Sequence, residues 1–474
     1  MTYSLSLIFS SGGYSTDKHQ AAIPTYITIS PRKDGITAKT KRLNPQRRSS
    51  TSSFSPLKRK LKASSSNFSS ILPKFRAIER RPSSTYSSDT LMPDITRSIL
   101  ALPNEILSCV LYYLDYTSVH KLSRTCSKLY TVCHDNELWR RFLFADFQAI
   151  TPPTPADPTI KDYLKLYQNH LKLGQRWLTG KVNTRFLQGH EDSVYCLGWI
   201  SKDILLSGSR DKTLKMWHVP TNTCIRTIEN EHSGSILCIR VDQKNQLVMT
   251  GSSDTTCTLW SLPQMQPIMK LTGHRHNVLD VCLVNQNRIV TSSRDHTLRV
   301  WDRETGLELR QMVGHTASVN AMEPVGRNRV VSASGDSSIK LWDIDTGECI
   351  RTMHGHKLGL ACVKYSDGRL YSGGLDGKIK VWDIETGECV HTMFGHAGMI
   401  RSIDYVNKKI VTGSYDRTLK VWDTETGACI LSFQSGHSNW IFNVLSSGTR
   451  IVSSGQEKRI MVLDFGSGLA PLCN

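Results

Sequence analysis

Seven histidines, His190, His232, His274, His315, His356, His396 and His437, are each followed by a hydroxyl residue and then an acid at near-constant spacing. The hydroxyls are Ser207, Thr250, Thr291, Ser332, Ser372, Thr412 and Ser453. The acids are Asp211, Asp254, Asp295, Asp336, Asp376, Asp416 and Glu457. Histidine, hydroxyl and carboxylate are the parts of a nucleophilic triad: base, nucleophile and orienting acid. Such a triad is needed once, beside an oxyanion hole, whereas here the set recurs in register along the chain. Repetition points to a scaffold. No nucleotide-binding loop and no Cys-x-x-Cys metal spacing accompanies the sets, so no catalytic residue, cofactor or metal site is expected.

The elements that carry these residues are themselves repeated. Successive histidines lie 42, 42, 41, 41, 40 and 41 residues apart, and six of them follow Gly, with Glu231 in that place in the second repeat. Trp217, Trp260, Trp301, Trp342, Trp382 and Trp422 come 26–28 residues after their histidines, and Asp302, Asp343, Asp383 and Asp423 follow four of them. A period near 40 with Gly-His and Trp-Asp landmarks resembles the WD-repeat family, in which each repeat supplies four strands of a propeller blade. The seventh repeat is degenerate, with Leu463 at the Trp position and Glu457 at the acid. Residues 182–187 precede the first Gly-His without a repeat of their own, and are expected to form the outer strand of the last blade, closing the ring. The resemblance implies that His, Asp, Ser/Thr and Trp satisfy one another inside each blade. Cys224, Cys349, Cys389 and Cys429 share one register position and are expected to be small buried hydrophobes.

The chain has 474 residues, enough for two or three domains, and no run of 18 apolar residues that would span a membrane as a helix. Residues 1–15 hold a short apolar run without a basic flank and are not read as a signal peptide. Thirteen cysteines, an odd number without paired spacing, indicate a reducing compartment. The net charge of +18 is concentrated at one end: residues 1–97 hold 17 Lys/Arg against 5 Asp/Glu, and 20 serines. That composition predicts a disordered basic tail. Within it, residues 58–62 (Lys-Arg-Lys-Leu-Lys) fit either a nuclear import signal or a solvated basic run.

After the tail, Leu102-Pro103-Asn104-Glu105-Ile106-Leu107 is followed by Val110, Leu111 and Leu114, an apolar stripe at helical spacing. Pro103 and Asn104 suit a helix start, and Glu105 favours the positive end of the helix dipole. A second stripe, Val119, Leu122, Cys126, Leu129 and Tyr130, predicts a second helix, and Glu137-Leu138-Trp139 opens a third. The Leu-Pro-x-Glu-Ile-Leu opening and the Leu-Trp close resemble an F-box over residues 98–146. The resemblance implies that Leu102, Pro103, Ile106, Leu107, Val110, Leu111 and Leu114 dock a Skp-type adaptor, and through it a cullin-based ubiquitin ligase. Without it, the same stripe would face the unit's own core. Residues 147–181 form a linker: a proline-rich stretch, then a helix over 159–178 with Tyr163, Tyr167 and Leu171, or Leu164, Leu171 and Leu178, on one side.

In propellers of this kind two positions per blade crowd the mouth of the central channel. Five residues after each histidine stand Tyr195, Leu237, Leu279, Asn320, Ala361, Arg401 and Phe442; one before each acid stand Arg210, Ser253, Arg294, Gly335, Leu375, Tyr415 and Gln456. Three of these are Arg and none is acidic, which suits an anionic ligand. Segments such as Ser193-Val194-Tyr195-Cys196-Leu197 and Gly355-His356-Lys357 are similar to the β-transducin-repeat-containing F-box group, which binds degrons bearing two phosphoserines. The resemblance implies a first phosphate pocket of Tyr195, Arg210, Ser235 and Ser253, with Arg294, Asn320, Arg401 and Tyr415 along the groove. The second pocket departs: Leu358 and Leu375 replace its Arg and Ser, leaving Gly359 and Ala361. Two leucines do not compensate a phosphate dianion, so one phosphate is expected in the first pocket and an apolar group in the second.

The expected architecture is an all-β seven-bladed WD-repeat propeller (182–474) with an N-terminal all-α F-box domain (98–146), a helical linker (147–181) and the basic tail (1–97). The resemblance implies a non-catalytic substrate receptor of a Skp–cullin–F-box ubiquitin ligase, partnered by adaptor, cullin and a phosphorylated protein, in cytoplasm and nucleus. Neither membrane nor nucleic acid is an expected partner. The rival is a WD-repeat scaffold that works without ubiquitylation and uses the basic tail.

Overall fold

The computed structural model describes residues 26–32, 35–41, 99–147, 162–434 and 436–469. The chain divides into two compact units, Met1–Arg42 with Lys165–Asn474, and Leu43–Leu164.

The larger unit is a seven-bladed propeller of four-stranded antiparallel sheets. Blade 1 runs from inner to outer strand through Val194–Trp199, Ile204–Ser209, Leu214–His218 and Thr223–Ile228. Blade 3 does so through Val278–Asn285, Arg288–Ser293, Leu298–Asp302 and Glu308–Met312. Blade 7 contributes Ile441–Ser446, Arg450–Gly455 and Arg459–Asp464, and takes its outer strand from Asn183–Gln188, paired from Asn183↔Asp464 to Gln188↔Arg459. The innermost strands of blades 7 and 1 adjoin, so the ring closes as the repeat count requires.

Strand character follows depth. The second strand of each blade, such as Lys409–Ser414, is buried beyond its first residue and reads as a short β-branched and small-residue run. The outer strand Thr223–Ile228 is exposed along most of its length. The core lies between blades: Trp342 of blade 4 packs with Val290, Leu298 and Met312 of blade 3, and Trp422 of blade 6 with Tyr371 and Met393 of blade 5. The Asp of each Trp-Asp pair has a local task. Asp302, Asp343, Asp383 and Asp423 each accept backbone N–H bonds from the residues two and three positions further on. Gly306, Gly347, Gly387 and Gly427 then close the hairpin at φ of 69° to 80°, a conformation that glycine adopts without Cβ strain.

The triad-like residues are structural. In blades 1–6 the histidine Nδ1 lies 2.7–3.0 Å from the Asp carboxylate. In all seven blades Nε2 lies 2.7–2.9 Å from the hydroxyl. The indole Nε1–H of blades 1–6 donates to the same oxygen at 2.8–2.9 Å. With Nδ1–H donated to the acid, Nε2 accepts the hydroxyl proton, and the oxygen accepts from the indole, so one proton order runs through each of blades 1–6. In blade 7 Glu457 turns instead to Ser438 and Arg459, and His437 Nδ1 is buried without a partner among the described residues.

Three expectations need correction here. Cys224, Cys349 and Cys389 are exposed, and Cys429 half-buried, because their register position falls on the outermost strands. Buried thiols stand instead on inner strands, at Cys196, Cys238 and Cys362. The linker helix is Tyr163–Thr179, and its buried stripe is Tyr163, Leu166, Tyr167, Leu173 and Trp177, while Leu171 and Leu178 face outward. Its stretch within the propeller unit is fixed to blade 7: Trp177 stacks on Phe465 at 4.1 Å, and Arg176 Nη1 donates to the carbonyls of Phe465 and Ser467 at 2.7 Å each. Finally, the tail is not uniformly irregular. Tyr26–Arg32 and Gly35–Lys41 form an antiparallel hairpin that pairs with the outer strands of blades 6 and 7. The β-branched Ile27, Thr28 and Ile29 favour extension, and an outer strand offers free main-chain groups. The basic run 58–62 lies outside the described residues.

Over its described residues 99–147 the smaller unit holds four α-helices: α1 Asn104–Leu111, α2 Tyr116–Leu122, α3 Ser127–Cys133 and α4 Asn136–Phe147. The expected second helix is two, because Cys126 adopts extended backbone (φ −156°) before α3. Leu107, Leu111, Val119, Val132, Leu138, Trp139, Phe142 and Leu143 make the core, where Trp139 Nε1 donates to the Cys133 carbonyl at 2.6 Å.

Candidate functional site

The channel mouth is built by a repeated irregularity. In every blade the inner and second strands slip register by one residue, and the extra residue is the one five after the histidine: Tyr195, Leu237, Leu279, Asn320, Ala361, Arg401 and Phe442. A β-bulge leaves its extra residue out of the ladder and re-aims the side chain. All seven line a central cavity of about 300 Å³.

The second set does not line that cavity. Its members stand on the turn after the second strand, and each backbone N–H donates to the carbonyl two residues before the bulge, from Arg210 N to Ser193 O (2.9 Å) through Gln456 N to Trp440 O (2.9 Å). They form an outer rim around the mouth.

Four of the eight candidate residues cluster over blades 6, 7 and 1. Tyr195 and Phe442 rings lie 5.1 Å apart, Tyr415 and Phe442 6.0 Å, and Tyr415 stacks on Trp440 at 4.7 Å. Burial pushes the Tyr195 phenol up, against the opposing charge of Arg210, and does the same to Tyr415, which Arg401 opposes by its charge and then by hydrogen bonding. Both phenols are therefore neutral donors at pH 7. Arg401 reaches the Ala361 carbonyl at 3.4 Å and has no carboxylate within ion-pair distance among the described residues. Arg210 differs: its Nε lies 3.7 Å from Asp192 Oδ2. Ser253 N–H donates to the Ser235 carbonyl, which holds those two side chains on adjoining loops of blade 2. Asn320 and Arg294 stand apart on blades 4 and 3, and the Asn320 amide already donates to the Leu360 carbonyl at 2.6 Å. Leu358 is 52% exposed, so the departed second pocket presents an apolar surface.

Sequence reading missed three features. Asp192 compensates Arg210. Trp440, 47% exposed, widens the aromatic cluster. Below the mouth runs a belt of charges: Arg240 pairs with Asp280 (3.1 Å) and Glu323 (2.8 Å), Lys364 with Glu323 (3.7 Å) and Asp404 (3.3 Å), and Ser446 donates to Asp404 (2.8 Å). Four of these charges stand eight residues after their histidines, a signal the spacing carried. With three carboxylates to two cations, the belt repels an anion from the depth of the channel and confines it to the mouth.

In the helical unit, Leu107 (1% exposed) and Leu111 (3%) turn into the unit's own core, because positions four apart share the inward face. Pro103, Ile106 and Val110 are exposed, Leu102 and Leu114 half-buried, and Tyr113 at 78% extends the outer stripe. Among the described residues no helix is long and apolar enough to cross a membrane.

The F-box-like family matches residues 99–145. The WD domain, G-beta repeat family matches 181–218, 222–261, 265–302, 306–343, 347–383 and 387–423, stopping short of the degenerate seventh blade. Drosophila melanogaster F-box/WD repeat-containing protein 7 is 30% identical over 155 residues, 30% of this chain and 12% of that protein. The DENN domain and WD repeat-containing protein SCD1 of Arabidopsis thaliana is 28% identical over 103 residues, 22% of this chain and 9% of its own. The nuclear distribution protein PAC1 of Arthroderma otae is 30% identical over 109 residues, 21% and 23% respectively. The chain thus spans less than a quarter of the length of these relatives. An F-box-like region followed in one chain by WD repeats supports an F-box/WD-repeat protein.

Proposed function

We propose that this chain is the substrate-recognition subunit of a Skp–cullin–F-box ubiquitin ligase, working in cytoplasm and nucleus. It performs no bond chemistry. The helical unit docks the adaptor through Pro103, Ile106, Val110 and Tyr113, and the propeller holds a phosphorylated degron at its mouth, so that proximity drives ubiquitin transfer to the target. The observation that carries the reading is Arg401: an uncompensated guanidinium at a channel mouth, bordered by two phenolic donors and an aromatic surface, above a net-negative floor. A phosphate brings about −1.5 to −2 charges and three acceptors, which suit that donor set. One phosphate lies against Tyr195, Arg210, Ser235, Ser253 and Arg401, and the peptide's apolar flank against Leu358 and Leu375.

The test is a purified complex of the full chain with a Skp-type adaptor, titrated with synthetic phosphoserine peptides and their unphosphorylated twins. Phosphate-dependent binding, lost on Arg401→Glu with the melting transition retained, is expected. Equal affinity for both peptide forms, or failure of adaptor and cullin to co-purify, overturns the reading in favour of a scaffold.

A further inference from the structure

The rim's positive charge is not where the first pocket lies. On blade 1 the exposed Arg210 and Lys212 side are offset by Glu191 and Asp192 on the facing loop. Blade 3 has no such offset. Arg275 and His276 follow its histidine, and Arg294 and His296 flank its acid; all four are exposed. Main-chain bonds zip the two loops together: Arg275 N–H donates to Asp295 Oδ2 at 3.0 Å, Ser293 O–H to the His276 carbonyl at 3.1 Å, and Arg294 N–H to the Asn277 carbonyl at 3.0 Å. Four basic side chains therefore leave adjoining backbone. The one acid between them, Asp295, has a side chain 6% exposed and is engaged by His274 at 2.8 Å and Thr297 at 2.6 Å. Neither Arg275 nor Arg294 has a carboxylate within ion-pair distance among the described residues.

The flanking loops are hydroxyl-rich. Blade 4's has no acid but Asp336, and blade 2's carries Glu229 and Glu231 ahead of its histidine, with neither in an ion pair with Arg275 or Arg294 among the described residues. Blade 2 brings Ser233, Ser235, Ser253 and Thr255, and blade 4 brings Thr316, Ser318 and Ser337; their acids Asp254 and Asp336 have side chains only 5% and 10% exposed and are held by histidines. Two guanidiniums, two imidazoles and a border of hydroxyls match the acceptors of a phosphoryl group.

We propose that the blade 3 loops bearing Arg275, His276, Arg294 and His296 form a second phosphate subsite, which takes another phosphoryl group of the same peptide. It rests on the phosphopeptide reading above. The second phosphate is thereby displaced from the apolar blade 5 position to blade 3, two blades away round the mouth.

The experiment uses the full chain with its adaptor and two sets of fluorescent synthetic peptides. One carries a fixed phosphoserine and a second phosphoserine scanned along the peptide; the other has glutamate in the scanned place. The expected result is one register at which the second phosphate tightens binding about ten-fold, equivalent to about 1.4 kcal/mol. Arg275→Ala with His276→Ala should erase that gain and leave singly phosphorylated binding intact, because the Arg275 backbone N–H that holds the loop is kept. No favoured register, a gain that survives the double variant, or an equal gain from glutamate overturns the subsite. If the fixed phosphate proves irrelevant while the scanned one still depends on Arg275 and His276, the channel-mouth reading falls and blade 3 stands. If no phosphopeptide binds, both fall.

Discussion

Arg210 and Asp192 face each other across the blade 1 rim, Nε to Oδ2 at 3.7 Å, both side chains about half exposed. An exposed pair of this kind is worth ~0.2–1 kcal/mol. Asp192→Asn should free the guanidinium and tighten phosphopeptide binding about two- to five-fold. The gain should shrink as salt is raised, because exposed charges are screened. Fluorescence polarisation at low and high ionic strength reads both effects.

The hydrogen-bonded skeleton makes unequal demands on its blades. Ser332 serves both His315 and Trp342, at 2.8 Å each, so Ser332→Ala strands two buried groups. At roughly 1–3 kcal/mol per unsatisfied group, the loss should be about 2–4 kcal/mol. Ser453→Ala strands only His437 Nε2, because Leu463 offers no N–H, and should cost about half as much. Urea denaturation midpoints of the two variants test the order.

Acid should open blade 7 first. Burial pushes His437 down, with Arg459 adding to the effect and Glu457 opposing it. The unfolded chain therefore binds a proton near the ordinary histidine pKa of about 6.5 that the folded chain refuses, so stability present above that pH declines below it. Burial also lowers His315 and His396, but there a directly bonded Asp opposes the shift. The partner acids act later. Burial works to raise Asp336, but bonds from Ser338 and His315 outweigh it and hold the carboxyl at about 2. Its contribution is lost only as pH falls from the unfolded value, about 3.9, toward 2. Hydrogen exchange between pH 6.5 and 5, corrected for intrinsic rates, should show residues 441–464 losing protection before the other blades. His437→Gln should flatten that dependence.

On the helical unit, outer and inner faces predict different failures. Ile106→Asp with Val110→Asp should abolish adaptor recovery while helical circular dichroism and melting are kept. Leu107→Asp places a charge where the side chain is 1% exposed and should unfold the unit outright. Adaptor binding unaffected by the Ile106/Val110 pair would remove this face from the interface.

The propeller was legible because its determinants are local and repeated: histidine, acid and tryptophan recur at fixed spacing, so seven weak signals reinforce one another. Even the closing strand could be read at 182–187, one residue from its observed 183–188, as the part of a repeat that the last blade lacks. The bulge positions were found by counting from each histidine. What escaped was contact between loops. Nothing in the spacing placed Asp192 against Arg210, or Trp440 on Tyr415, since those partners meet only when the turns fold. The apolar stripe of α1 was visible, but its division between the buried Leu107 and the exposed Ile106 depends on which side α3 and α4 cover. The outward cysteines were misread because an outer strand keeps the repeat's register without its burial.

Because each extra inner-strand residue sits outside main-chain pairing, seven side chains can be exchanged without remaking one ladder hydrogen bond. What the mouth prefers and how firmly the disc holds together are thus written in separate alphabets. A gene library randomised at positions 195, 237, 279, 320, 401 and 442, with small residues kept at the buried Ala361, should yield mostly folded proteins whose tastes diverge. Evolution, or an engineer, can reshape such a mouth through point changes alone.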